Sequence, residues 1–215
     1  MKIPIGRIQQ FDRLKKTSFF MLLVFSVYAT SFAHSASTAD FLVLNSEDTL
    51  YGIVEYINSK RVSPEFYKKI RVTDENGKRR QFKQKDVSAF KADGKVFESY
   101  WLSQTSDKIV LINPKYDIDS EHGTQYFLRL IRKGELSHYQ WEWWEQGEST
   151  LMWMALLRKK EDQFFIRATQ GLLGLKKKVL TDYFTNCPEL KEKIEKKELN
   201  EVWQLVDFYN NNCEY

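Results

Sequence analysis

Between Phe41 and Arg167 apolar side chains recur at every second position in short runs, and beyond Gly171 they recur at every third or fourth. A period of two puts one side of a strand against a core, and a period near 3.6 does the same for one side of a helix. This change of period predicts an α+β chain. Its first part is mostly antiparallel β, made of hairpins and a meander, and its second is a C-terminal three-helix segment packed on the sheet. The expected units are a β domain over 34–170 and a helical segment over 171–215.

The runs are stopped by turn chemistry. Phe41 to Leu44 reads as a strand, Asn45 to Asp48 as a turn, and Thr49 to Ile57 as one further strand. Gly52 inside that strand signals a bulge or a close backbone approach. Tyr67 to Thr73 and Lys78 to Lys83 flank Asn76-Gly77, and Val87 to Phe90 and Val96 to Leu102 flank Asp93-Gly94, both hairpin signatures. Lys108 to Ile112 reads as a short strand ended by Asn113-Pro114, with an acidic loop running on to Gly123. Four longer strands follow as a meander: Gln125 to Arg132, Glu135 to Trp143, Thr150 to Arg158 and Gln163 to Arg167.

In the tail, Leu175 to Phe184 fits a helix. Asn186-Cys187-Pro188-Glu189 fits the start of a second, because proline loses nothing in a first turn and glutamate suits the positive end. Val202, Leu205, Val206 and Tyr209 form the apolar stripe of a third, over about Asn200 to Tyr209.

The N-terminus has the three parts of a secretory signal. Lys2, Arg7, Arg13, Lys15 and Lys16 precede the apolar run Thr17 to Ala33, which closes on the small residues of Ser31-Phe32-Ala33. The run is short for a membrane span, which wants about 20 residues. The expectation is a signal peptide over 1–33, cleaved after Ala33 so that the mature chain begins at His34; an uncleaved anchor is the alternative. The expected location is therefore exported, in the periplasm or at the cell surface.

The formal charge of +4 then loses its meaning, because five basic residues and one acid leave with the leader and the remainder balances. A balanced chain has no global field to attract nucleic acid or anionic lipid. The two cysteines, Cys187 and Cys213, lie in the last thirty residues. An oxidising compartment favours a bridge between them, with a stabilisation of roughly 3 kcal/mol on the loop-entropy argument. Two free thiols are the other possibility.

The segments TLYGIVEYI, YFLRLIRKGELSHYQWEWW, QFFIRA and KKKVLTDYFTNCPELKEKI resemble a family of uncharacterised exported proteins of Gram-negative bacteria. The family's opening strand, D-T-x-x-G-x-I, is matched in shifted form by Asp48 to Val54. Its helical tail motif, F-x-D-C-P-x-L, is matched by Phe184 to Leu190, with Asn186 where Asp is usual. The tail ends on Tyr209-Asn210. The resemblance implies an exported β-rich protein with a helical tail and implies no particular activity. Some members continue into an outer-membrane β-barrel, which this chain, ending at Tyr215, is expected to lack.

Candidate sites are few. Trp141 and Trp143 share one side of a strand, with Glu142 between them. Together these three are the candidate ligand-binding residues, able to stack on a sugar or peptide; core packing is the commoner use of tryptophan in a sheet. Asp117, Asp119 and Glu121 alternate as in a calcium loop, but Gly123 comes one place late and Leu128 stands where a bidentate acid is needed. Glu135, Glu142, Glu145 and Glu148 include the residue type of a glycosidase pair and read instead as solvated surface. His34, His122 and His138 lack metal-ligand spacing, so no metal is expected. Lys176-Lys177-Lys178 and the cluster at Lys83 and Lys85 read as solvated surface, lipid headgroup contact being the lesser alternative for the first. No dinucleotide, phosphate-loop or nucleophile-elbow pattern is present, so no cofactor is expected.

The resulting expectation is a non-enzymatic binding or structural module of the cell envelope. Its partner would be another envelope protein or a glycan. Nucleic acid is not expected, and membrane contact would come only through an uncleaved N-terminal segment. The alternative is a carbohydrate- or peptide-recognition module organised on Trp141 and Trp143, with weak hydrolase activity.

Overall fold

The computed structural model describes residues 39–57, 69–103, 115–143, 151–170 and 174–213. The leader over 1–33, the expected strand Lys108 to Ile112, and Trp144, Glu145 and Glu148 lie outside the described residues. The strands are β1 (Phe41–Leu44), β2 (Thr49–Tyr51), β3 (Ile53–Ile57), β4 (Lys69–Thr73), β5 (Arg79–Lys83), β6 (Val87–Ala92) and β7 (Lys95–Ser103). They continue with β8 (Lys115–Ile118), β9 (Thr124–Arg132), β10 (Leu136–Trp143), β11 (Met152–Lys159) and β12 (Phe164–Arg167). The helices are α1 (Lys177–Tyr183), α2 (Pro188–Glu195) and α3 (Val202–Asn212). The chain is thus an antiparallel β assembly with a three-helix tail.

Nine strands run in the order β2-β1-β6-β7-β8-β12-β11-β10-β9, and β9 pairs back onto β7. Six strands therefore close into a barrel: β7, β8, β12, β11, β10 and β9. Closure leaves none of the six as the outermost strand of an open sheet, although β9 and β10 pair only between Arg129–Arg132 and His138–Gln140. The meander β9 to β12 follows the turns expected from sequence, whereas the β7–β9 pairing joins strands separated by β8 and is a long-range contact.

The barrel is filled. Tyr100, Leu102, Tyr116, Leu128, Tyr139, Trp141, Met154, Leu156 and Phe165 form one buried or half-buried cluster. Their rings meet mostly edge to face, as ring quadrupoles prefer: Tyr116–Trp141 at 5.3 Å, Tyr100–Phe165 at 4.9 Å and Tyr139–Phe165 at 5.4 Å between centroids.

Two layers cover the outside. On one side the tail packs Leu180, Leu190, Ile194, Leu205, Val206 and Tyr209 against Leu136, Ala155 and Leu157 of β10 and β11. Both sides of β10 are thereby buried, which explains why LSHYQWEW does not alternate cleanly between apolar and polar. On another side a separate three-stranded sheet, β3-β4-β5, lays Val54, Ile70 and Val72 over Phe90, Phe97 and Phe127. Phe90 and Phe97 stack at 4.7 Å, with Phe127 edge-on to Phe90 at 5.0 Å.

Two sequence expectations are corrected. Thr49 to Ile57 is not one strand: it breaks at Gly52, β2 joining the large sheet and β3 the small one. Gly52 has φ +150°, and a Cβ there would stand 2.2 Å from the Thr73 carbonyl oxygen. The close approach expected at this glycine is the point where the chain crosses between sheets. The acidic loop is also shorter than expected. Lys115 to Ile118 is strand β8, paired with β12 and the end of β7, so only Asp119 to Gly123 forms a turn.

Candidate functional site

Trp141 is 3% exposed and lies inside the barrel between Tyr116 and Tyr126, the Tyr126 ring centroid 4.4 Å away. Trp143 is half-buried against the same cluster. Alternation along β10 turns Glu142 to the outer side, where it is buried and its Oε1 lies 3.4 Å from Arg129 Nη1. The three candidate ligand residues therefore lie on opposite sides of one strand and share no surface. The exposed tryptophan nearby is Trp153, 53% exposed and directly across the β10–β11 pair from Glu142.

Asp117 pairs with Lys115 at 2.9 Å. Asp119 Oδ1 accepts the backbone N–H groups of Glu121 and His122, both at 3.0 Å. Those two hydrogen bonds favour its ionised form and hold its pKa below the usual carboxylate range. Its oxygens organise a turn. Among the described residues no three His, Cys, Asp or Glu side chains converge on a point that could hold an ion.

The structure does assemble a polar cluster that the sequence does not announce. At the end of the barrel where the β9–β10 and β11–β12 hairpins turn, Glu98 Oε2 accepts hydrogen bonds from Tyr139 at 2.7 Å and Tyr100 at 2.8 Å. The two hydroxyls are 3.0 Å apart. Lys133 Nζ approaches the other carboxylate oxygen at 3.6 Å, and the Arg158 guanidinium lies over the Tyr100 and Phe165 rings. Burial, with the neighbouring Glu98 charge, pushes the Tyr100 phenol up to about 12, and burial pushes Tyr139 higher still. Both phenols thus stay protonated at neutral pH and act as hydrogen-bond donors to the carboxylate, not as bases or nucleophiles. The signal available in the sequence was that Glu98 and Tyr100 share the side of β7 that carries Leu102, but the β10 partner Tyr139 becomes adjacent only on closure.

A second polar cluster fastens the tail. Lys159 Nζ donates to the Tyr183 carbonyl at 3.0 Å and to Asn186 Oδ1 at 2.8 Å, while the Tyr183, Phe184 and Tyr209 rings surround the ammonium at 4.5, 5.9 and 5.6 Å. The Tyr183 hydroxyl donates to Asp162 and accepts from the Lys159 backbone N–H. Asn186 Nδ2 donates to the Tyr209 hydroxyl at 2.9 Å. Cys187 and Cys213 are joined, both buried, tying the start of α2 to the end of α3. Among the described residues no helix is long and apolar enough to cross a membrane.

Comparison of the chain with protein-family models, with curated proteins and with solved structures finds no match.

Proposed function

We propose that this protein is an exported, non-enzymatic binding module of the cell envelope, processed after Ala33 and working from the outside of its barrel. The observation that carries the reading is the buried Cys187–Cys213 bond. Structural disulfides persist in oxidising compartments and are rare in the cytosol, which agrees with the leader-like N-terminus. The resemblance to exported proteins with an F-x-[DN]-C-P-x-L tail supports the same placement. The binding half of the reading follows from the barrel's contents. Its interior is occupied by packed aromatic rings, and its polar end is satisfied by Glu98, Tyr100 and Tyr139 among themselves. A partner would therefore meet outer faces and strand edges.

A glycan- or peptide-recognition role is the second reading, and Trp153 favours it. Its exposed ring beside Glu142 places a stacking platform on the outer side of the strand pair, not on Trp141 and Trp143.

Fractionation of cells expressing the full chain tests the first reading. The expected result is exported protein beginning at His34 with no free thiol, cross-linked in place to an envelope component. Full-length, thiol-reduced protein in the cytoplasm would overturn it. Loss of glycan or peptide retention in Trp153→Ala, with folding intact, would favour the second.

A further inference from the structure

The overall charge balance conceals a local concentration. Between Ile53 and Lys85 stand ten Lys and Arg against four Asp and Glu. The β3-β4-β5 sheet puts four of these ten on its outer face, while Arg80 turns the other way with Val72. Val54, Ile70 and Val72 point to the core, so alternation turns Lys69 and Arg71 of β4, and Arg79 and Lys83 of β5, the other way. Lys69, Arg79 and Lys83 are exposed and Arg71 is half-buried. Register sets Lys69 directly opposite Lys83, and Arg71 diagonal to Arg79 and Lys83. Glu55 is the one acid at a described position on this face, and it lies 3.4 Å from Arg71.

Like charges facing each other across a strand pair destabilise a sheet. Guarding the free edge of β5 would explain lysine there. It would not require one sign of charge, nor charge on the central strand β4. A local arrangement that costs stability points to a use.

An apolar residue borders the same face: Ile53, at the end of β3 opposite Thr73, is 66% exposed. A broad basic face with an exposed aliphatic side chain at its margin matches the chemistry of a phosphate-rich lipid surface. There cations meet headgroups and apolar side chains enter the acyl boundary. Nucleic acid would use the charge but not the isoleucine.

We infer that the outer face of the β3-β4-β5 sheet docks on an anionic lipid bilayer, with Lys69, Arg71, Arg79 and Lys83 on the headgroup phosphates and Ile53 at the interface. This goes beyond the envelope reading and does not depend on it, since it concerns a surface of the folded domain. It also differs from the sequence expectation that membrane contact would come only from the N-terminus.

The test is co-sedimentation of the purified, disulfide-intact chain with vesicles of phosphatidylcholine alone and of phosphatidylcholine with an equal amount of phosphatidylglycerol. Binding to the anionic vesicles only is expected, lost as salt rises from about 0.1 M to about 1 M and the Debye length falls from about 10 Å to about 3 Å. Each Lys or Arg replaced should weaken binding by about fivefold. Lys83→Glu is the sharpest variant: it should weaken vesicle binding while raising the thermal midpoint, because it turns the Lys69 repulsion into attraction. Ile53→Ser should weaken binding at unchanged charge. Equal binding to both vesicle types, or full binding by Lys83→Glu combined with Arg79→Glu, would overturn the inference. So would retention of the wild-type chain by double-stranded DNA with no binding to either vesicle, which would assign the face to a soluble polyanion.

Discussion

The side-chain amide of Asn210 on α3 closes a two-pointed hydrogen bond on the backbone of Leu136 in β10, accepting the Leu136 N–H at 2.8 Å and donating to its carbonyl at 3.0 Å. At this point β10 has outrun its partner: β9 pairs with β10 from His138 onward, and Ile131 bulges out of the register. The asparagine thus takes the place of a neighbouring strand. Gly134 lies directly beneath it, where a Cβ would come within 2.5 Å of Asn210 Nδ2. Helix, hairpin and strand are joined by one residue.

Asn210→Ala leaves two backbone groups of Leu136 without their partner. A loss of about 2–3 kcal/mol is expected, since each unsatisfied buried polar group costs about 1–3 kcal/mol and some water will reach the site. Gly134→Ala should act in the same direction by displacing the amide. Urea denaturation gives the magnitude, and faster hydrogen exchange at the Leu136 amide would locate it.

Opening the Cys187–Cys213 bond, by reduction or by paired serine substitution, should cost about 3 kcal/mol, because the bond spans 26 residues of sequence. Lys159 and its surrounding rings remain to hold the tail, so the loss should appear as early release of α2 and α3 rather than collapse of the barrel. Limited proteolysis under reducing conditions should cut first near Lys196 and Lys197. Cutting first within β9 or β10 would contradict this order.

His138 is buried on the helix-covered side of β10, and burial lowers its pKa from 6.5 to about 4. Its cross-strand neighbour is Arg132, which pairs with Asp207 of α3. The unfolded chain therefore binds a proton on this ring at a higher pH than the folded chain does. This contribution to stability is fully present above about 6.5 and is lost as pH falls towards 4, up to about 3 kcal/mol. Chemical denaturation at a series of pH values should show that slope, and His138→Phe should flatten it. An unchanged slope in the variant would assign the acid sensitivity elsewhere.

Much of the architecture is legible in the sequence. The meander β9 to β12, the helix start at Pro188 and the stripe Val202, Leu205, Val206, Tyr209 follow from local rules of alternation, turn chemistry and helical period, and stand where those rules place them. Closure was not legible. It depends on β7 meeting β9 across an intervening strand, and nothing local to Val96 or Leu130 specifies that pairing. The same closure hid the Glu98 cluster, since Tyr139 lies 41 residues from the carboxylate it binds. The break at Gly52 was half legible: the glycine marked a close approach, but only the Thr73 carbonyl shows that the approach is a crossing between two sheets. Trp141 and Trp143 illustrate the limit of alternation. The period says that two side chains share a side of a strand, and which side is inside is settled by the rest of the fold.

The Glu98 cluster makes a prediction about coupling. Tyr100 and Tyr139 donate to the same carboxylate oxygen and touch each other, so removing either hydroxyl lets the other and Lys133 compensate in part. Tyr100→Phe and Tyr139→Phe should each cost about 1–2 kcal/mol, as hydrogen bonds to a charged acceptor do, and the double variant should differ from their sum by more than about 0.5 kcal/mol. A double-mutant cycle by urea unfolding measures this directly. Additive losses would mean that the hydroxyls act separately.

Trp141 and Trp153 should separate core from surface. Trp141→Ala opens a cavity among Tyr116, Tyr126 and the barrel interior, and a loss of about 3–5 kcal/mol is expected. Trp153 is mostly solvated, and Trp153→Ala should fall within about 0.5 kcal/mol of the parent. The difference matters for any binding assay. Weak ligand retention by Trp141→Ala would reflect unfolding, whereas the same result in Trp153→Ala would report a contact. Thermal unfolding of both variants beside the parent decides which assay can be trusted. A stable Trp141→Ala chain would mean that the barrel interior yields more readily than its packing implies.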